Sequence, residues 1–161
     1  MKAVIQRVTY SNLSIGNKIY SQINGGLVVL VGVTHDDDDN DIQWLAKKIV
    51  NLRIFNDDKN IMNKSLIDIS GELMIVSQFT LHAQTKKGNR PSYIDAANGD
   101  IAEKIYKSLI LEIENKYNLK PKTGKFGAEM KVELENDGPV TIIIDTKNKY
   151  LYGFKYFTEK S

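Results

Sequence analysis

No cysteine occurs anywhere in the 161 residues. That excludes a disulfide framework, a thiolate nucleophile, an iron–sulfur cluster and any cysteine-ligated zinc site, and it fits a reducing, cytoplasmic setting. Histidine is almost as scarce. His35 and His82 are the whole supply, too few for a histidine-rich metal centre. There is no Walker loop and no GxGxxG, so nothing points to a nucleotide cofactor. The expectation is therefore no metal and no cofactor. The longest apolar run, residues 27–33, falls far short of the ~20 residues a membrane-spanning helix needs. The opening MKAVIQRVTY breaks its apolar run at Gln6 and Arg7, which predicts no secretory leader and no membrane association. Nor does one sign of charge dominate. The 22 basic and 20 acidic side chains leave +2, too little to mark a nucleic-acid binder by charge alone.

What is present suits one folded domain. Hydrophobic residues make up 42% and charged residues 26%, and a chain of this length can enclose its own core. Residues 2–8 and 13–23 alternate like strands, with Gly16-Asn17 as a turn. Residues 26–33 are a continuous β-branched run, the pattern of a strand covered on both faces. The acidic run 36–39 reads as a solvated entry to a helix capped by Asp41, with Ile42, Leu45, Ile49 and Leu52 at helical spacing. Residues 72–81 read as another strand, followed by a long irregular connection over 82–98. A second helix spans about 99–117, with Ile101, Ile105, Leu109 and Ile113 on one side. Strands over 130–134 and 140–145 are separated by Asn136-Asp137-Gly138-Pro139.

Two segments do not read as plain packing. Residues 77–81 (SQFTL) place three polar residues at the end of an apolar strand, and buried polar groups need partners. In a regular strand Thr80 and His82 would share a face, so a Thr–His pair is conceivable, although a solvated His82 is the simpler reading. Residues 136–141 (NDGPVT) read by themselves as a hairpin turn. Arg7 reads as a surface ion pair at a strand edge, and Phe126 and Met130 as core residues.

Taken together, SQFTL and NDGPVT resemble the two signature motifs of the D-aminoacyl-tRNA deacylase (D-tyrosyl-tRNA(Tyr) deacylase) family. IQRV at 5–8, LRIF at 52–55, MNKSL at 62–66, KGNRPS at 87–92 and TGKFGAEM at 123–130 follow the same order. The resemblance covers essentially residues 1–146. It implies an α/β fold of three β/β/α layers, with mixed sheets and two main helices. It also implies a homodimer with the active site near the interface, acting at the 3′ acceptor end of aminoacyl-tRNA. The implied reaction is hydrolysis of the ester to a D-amino acid, with glycine also accepted and L-amino acids rejected, as chirality proofreading in translation. Ser77, Gln78, Phe79 and Thr80 would form the catalytic segment. Gly138 and Pro139 would be a cis peptide acting as the chiral filter, with Arg7 bracing it. Phe126, Gly127, Ala128 and Met130, with Phe79, would hold the terminal adenosine.

Residues 147–161 extend past the family pattern. Tyr150, Tyr152, Phe154 and Tyr156 alternate there among lysines, as in a strand whose aromatic face packs against the domain or a dimer partner, with a tRNA-contacting surface as the alternative. Three rival readings remain at this level. One is the related branch that removes mischarged L-alanine, another an esterase using Thr80 and His82. The third is a non-catalytic RNA-binding module, because the fold also resembles the editing domain of archaeal threonyl-tRNA synthetases.

Overall fold

The structure is a computed structural model and describes residues 1–149. The aromatic alternation at 150–156 lies outside them. β1 (Lys2–Ile15) turns into β2 (Lys18–Ile23), and β3 (Gly26–Gly32) follows. After α1 (Asp39–Asn51) come the short β4 (Phe55–Asn56) and β5 (Met62–Lys64), then β6 (Glu72–Ser77) and a 3-10 turn, Phe79–His82. The described residues close with α2 (Gly99–Tyr117), β7 (Lys122–Thr123), β8 (Lys131–Asp145) and a second 3-10 turn, Thr146–Asn148.

The main sheet runs β2-β1-β3-β6-β7, with β8 on the other edge of β1. β3 pairs antiparallel with β1 and parallel with β6. Its near-complete burial explains the unbroken apolar run. The sheet curls until β2 and β7 meet, where the Ser21 hydroxyl donates to the Thr123 carbonyl at 2.9 Å. One side of the curl encloses Val8, Leu13, Val28, Met74 and Val76. The other packs Ile5, Leu27 and Val29 against Leu45 and Ile49 of α1 and Leu109 and Ile113 of α2. The result is the expected three-layer β/β/α arrangement. No helix among the described residues is long and apolar enough to cross a membrane.

Four sequence expectations are corrected. The cap of α1 is Asp38, whose carboxylate accepts from the Asp41 N–H at 3.0 Å while the Asp41 carboxylate accepts from the Asp38 N–H at 3.2 Å. Asp41 is thus the third helical residue of a capping box. The acidic run is only partly solvated. Asp37 is buried and takes the Met1 ammonium, and buried Asp41 takes Lys147 at 2.6 Å. The apolar face of α2 is rotated, with Ala102, Tyr106, Leu109 and Ile113 buried and Ile101 exposed. Finally, residues 136–141 are not a hairpin turn. β8 runs straight through them against β1, with Thr141 opposite Gln6 and Asn136 opposite Val8. Only Arg7 stands between those two β1 positions, so residues 137–140 bulge away from the ladder.

Candidate active site

β6 stops where its apolar sequence stops. The Gln78 N–H still reaches the Val31 carbonyl at 2.7 Å, but beyond it the chain closes into the 3-10 turn rather than extending to Leu81. Gly32 on β3 makes room for that turn. A Cβ there would sit 2.9 Å from both the Gln78 carbonyl oxygen and the His82 ring, closer than real contacts allow. The turn leaves the Phe79 ring exposed, edge-on to Tyr93 at 5.0 Å between centroids. Among the described residues neither the Phe79 nor the Thr80 N–H is donated to a protein acceptor. The Thr80 hydroxyl accepts from the Gln78 side-chain amide.

His82 is not a solvated strand-end histidine. It is buried, and its Nε2 has no hydrogen-bond partner among the described residues. Because 78–82 is a tight turn, the extended geometry that would align Thr80 with His82 does not form.

The opposite wall comes from residues 125–130. A turn closed by the Ala128 N–H on the Lys125 carbonyl at 3.1 Å presents Phe126, Gly127 and Ala128, with Met130 beside them. Between the walls lies a cleft of about 300 Å³, lined by Ser77, Gln78, Phe79, Phe126, Gly127, Ala128 and Met130 over a floor that includes Val31 and Tyr106. Phe126 and Met130 are half-buried, each packed against a core cluster and lining the cleft. Tyr106 was missed by sequence reasoning, since an aromatic at helical spacing reads as core. Its hydroxyl donates to the Ile75 carbonyl at 2.6 Å, tying α2 to β6. Burial pushes its pKa well above the usual phenol value, so it stays neutral.

Thr80, Arg7, Gly138 and Pro139 do not line this cleft. The last three form a second cluster on the β8 bulge. Gly138-Pro139 is a cis peptide, exposed on both residues, and Gly138 has φ +117°, which favours glycine. Beneath it Arg7 is buried, correcting the reading of a surface ion pair. One of its terminal N–H groups donates to the Ile54 carbonyl at 2.6 Å. Its Nε lies 3.0 Å from the Asp137 carboxylate, an ion pair whose angle falls short of a directed hydrogen bond. Asn136 ties the base of the bulge, its amide donating to the Arg7 and Val140 carbonyls at 3.0 Å each. The carboxamide of Asn136 is the device that sequence reasoning did not assign, because asparagine before Asp-Gly-Pro reads as a turn former.

The profile of the family described as D-Tyr-tRNA(Tyr) deacylase matches residues 4–145. The chain belongs to that family. A D-aminoacyl-tRNA deacylase of Flavobacterium psychrophilum is 55% identical over 149 residues, covering 92% of this chain and 99% of the relative. The namesake of Parabacteroides distasonis is 54% identical over the same coverage. Among solved structures, c-Myc DNA Unwinding Element Binding Protein superposes with a TM-score of 0.84 at 39% identity, covering 90% of this chain and 98% of that one. A probable eukaryotic D-amino acid tRNA deacylase shares the fold, with a TM-score of 0.73 at 16% identity. Membership of the deacylase family makes the chain a hydrolase, and the cleft is its candidate active site.

Proposed function

We propose that the chain hydrolyses the ester linking D-amino acids, and glycine, to the 3′ end of tRNA, and that it spares L-aminoacyl-tRNA. The observation that carries this reading is the cleft itself. It brings Ser77, Gln78 and Phe79 face to face with Phe126, Gly127 and Ala128, two segments far apart in sequence. A cleft of this size and apolar character suits a terminal nucleoside and its ester.

Hydrolysis of the ester develops negative charge on the carbonyl oxygen. The undonated N–H of the cleft-lining Phe79, with that of Thr80 next to it in the turn, is the available stabiliser of that charge. Thr80 is a poor nucleophile here. Its hydroxyl accepts from a neutral amide, and no base stands beside it among the described residues. Positioning of the ester, with the substrate's own vicinal 2′-hydroxyl helping to activate water, is the scheme we favour. The same geometry argues against an esterase built on Thr80 and His82.

In a homodimer, the exposed Gly138-Pro139 bulge of one subunit would enter the cleft of the other. Its backbone carbonyls would fix the α-amino group. An L side chain would then run into backbone, a D side chain would point to solvent, and glycine would escape the filter. Arg7 and Asn136 hold the bulge in shape for that task. The test compares hydrolysis of D-Tyr-tRNA, L-Tyr-tRNA and Gly-tRNA by the purified protein. Loss of the D and Gly esters with the L ester intact is expected. Equal hydrolysis of D and L esters would overturn the chirality argument, and binding without turnover would point to a non-catalytic module.

A further inference from the structure

Two separate segments that adjoin cleft-lining residues carry cations. On one side, Gln84 and Ser92 exchange two backbone hydrogen bonds, at 2.8 and 3.0 Å. They pinch off a loop that carries Lys86, Lys87 and Arg90, all exposed. The base of this loop is fixed to the catalytic segment, because Tyr93 meets the Phe79 ring edge-on at 5.0 Å. The carboxylate that follows, Asp95, is engaged by the Gln84 amide. On the other side Lys125, also exposed, immediately precedes the cleft-lining Phe126. Among the described residues none of these four side chains has a carboxylate within ion-pair distance. Residues 83–94 contain no acidic residue, and residues 124–130 contain only Glu129.

This is a local feature and not a consequence of overall charge, which is only +2. The cleft, at about 300 Å³, has room for one terminal nucleoside and its ester, so on the deacylase reading a longer nucleic-acid substrate leaves it across this rim. Unpaired lysine and arginine side chains on a fixed loop suit phosphate oxygens there. We propose that Lys86, Lys87, Arg90 and Lys125 form a docking rim for the RNA phosphates that lead away from the 3′-terminal nucleotide. The proposal rests on the deacylase reading and names the part of the substrate that reading leaves unassigned. The rim supplies affinity for the RNA and takes no part in ester cleavage.

Two substrates separate rim from cleft: full-length D-Tyr-tRNA, and 3′-D-tyrosyl-adenosine, which has no phosphate to offer. The variant carries Lys86→Gln, Lys87→Gln and Arg90→Gln together, with Lys125→Gln tested apart. Each phosphate contact contributes roughly 0.7–0.9 to the slope of log affinity against log salt. The triple variant should therefore flatten that slope by about 2 for uncharged tRNA. At low salt it should lose ~10–100-fold in kcat/KM on the tRNA, with the loss in KM, while cleaving the adenosine ester at the parent rate. An unchanged salt slope would overturn the proposal, as would equal losses on both substrates, which would assign the loop to shaping the cleft. Uncharged tRNA needs no turnover to bind. A parent protein that cleaves neither ester would therefore refute the activity, and the slope would still decide the rim.

Discussion

Replacing Arg7 by leucine tests the central support of the β8 bulge. Arg7 is 7% exposed, and a terminal N–H of its guanidinium donates to the Ile54 carbonyl at 2.6 Å. Removing it forfeits a charge-assisted bond and strands a buried carbonyl, which costs about 1.5–3 kcal/mol. The Asp137 partner is half-exposed, so that ion pair contributes no more than about 1 kcal/mol. Leucine fills part of the space and offsets part of the loss. A net destabilisation of about 2–3 kcal/mol follows, which for a chain of this length lowers Tm by roughly 5–10 °C. Calorimetry on Arg7→Leu, Asp137→Asn and the double variant resolves the two contributions, with Asp137→Asn alone costing under about 1 kcal/mol. If Arg7→Leu melts within about 2 °C of the parent, the Ile54 anchor is not what holds the bulge. A coupling above about 2 kcal/mol would shift the main hold to Asp137. If the bulge excludes the L side chain as proposed, the folded variant should also begin to hydrolyse L-Tyr-tRNA, because the bulge has lost its brace.

Three further outcomes follow from other contacts. Thr80→Ala should retain kcat within about tenfold of the parent, since it removes neither backbone donor. Loss of all turnover with substrate binding intact would restore Thr80 as the nucleophile. Tyr106→Phe keeps the ring and deletes only the bond to Ile75, so urea unfolding should show a cost of about 1–2 kcal/mol with an unchanged m-value. A cost below about 0.5 kcal/mol would mean that the carbonyl is satisfied otherwise. At the entry to α1, burial alone would raise the Asp41 carboxyl, but bonds from Lys147, Thr146 and the Asp38 N–H outweigh it and hold its pKa well below the ordinary 3.8. A depressed carboxylate stabilises the fold above its ordinary pKa and loses that contribution as pH falls through the folded value. Stability should therefore decline below about pH 4 in the parent and decline less in Asp41→Asn. Burial likewise opposes the charge of Lys147, but Asp41 with Asp37 and Asp36 pushes its pKa up to about 12. That contribution is complete below the ordinary 10.5 and disappears as pH rises through about 12. An acid limb identical in the parent and Asp41→Asn would contradict this assignment.

Elements governed by local signals were legible in the sequence. The span of α2 is set by its own ends, where the Asn98 side chain accepts from the Ile101 N–H at 3.1 Å and Asn118 closes the helix with φ +51°. β3 announced itself because both its faces are covered. Elements decided by distant partners were not legible. Asp-Gly-Pro favours a hairpin turn, yet the β1 ladder on either side of Arg7 holds β8 straight and forces those residues outward. The end of the apolar run marks where β6 stops, but the 3-10 turn beyond it depends on the close approach of Gly32 on another strand. His82 was misread for the same reason, since what buries it comes from other segments. The cleft-lining segments, by contrast, carried a family resemblance, and the structure sets 77–79 against 126–128 and Met130. It leaves Gly138 and Pro139 outside the cleft of their own chain.

β8 also acts as a ruler. One unbroken strand carries Val132 at the cleft, Gly138 at the bulge and Asp145 just before the lysine that binds α1. Because strand side chains alternate between faces, inserting or deleting one residue between Val132 and Asn136 would turn everything on one side of the change to the wrong face. The amide clamp of Asn136 would then point away from Arg7, or Val132 away from the cleft. Length is therefore constrained more tightly than identity along this strand. A library of single-residue insertions should find β8 closed to change, while exposed positions such as Glu133 and Thr141 accept many side chains.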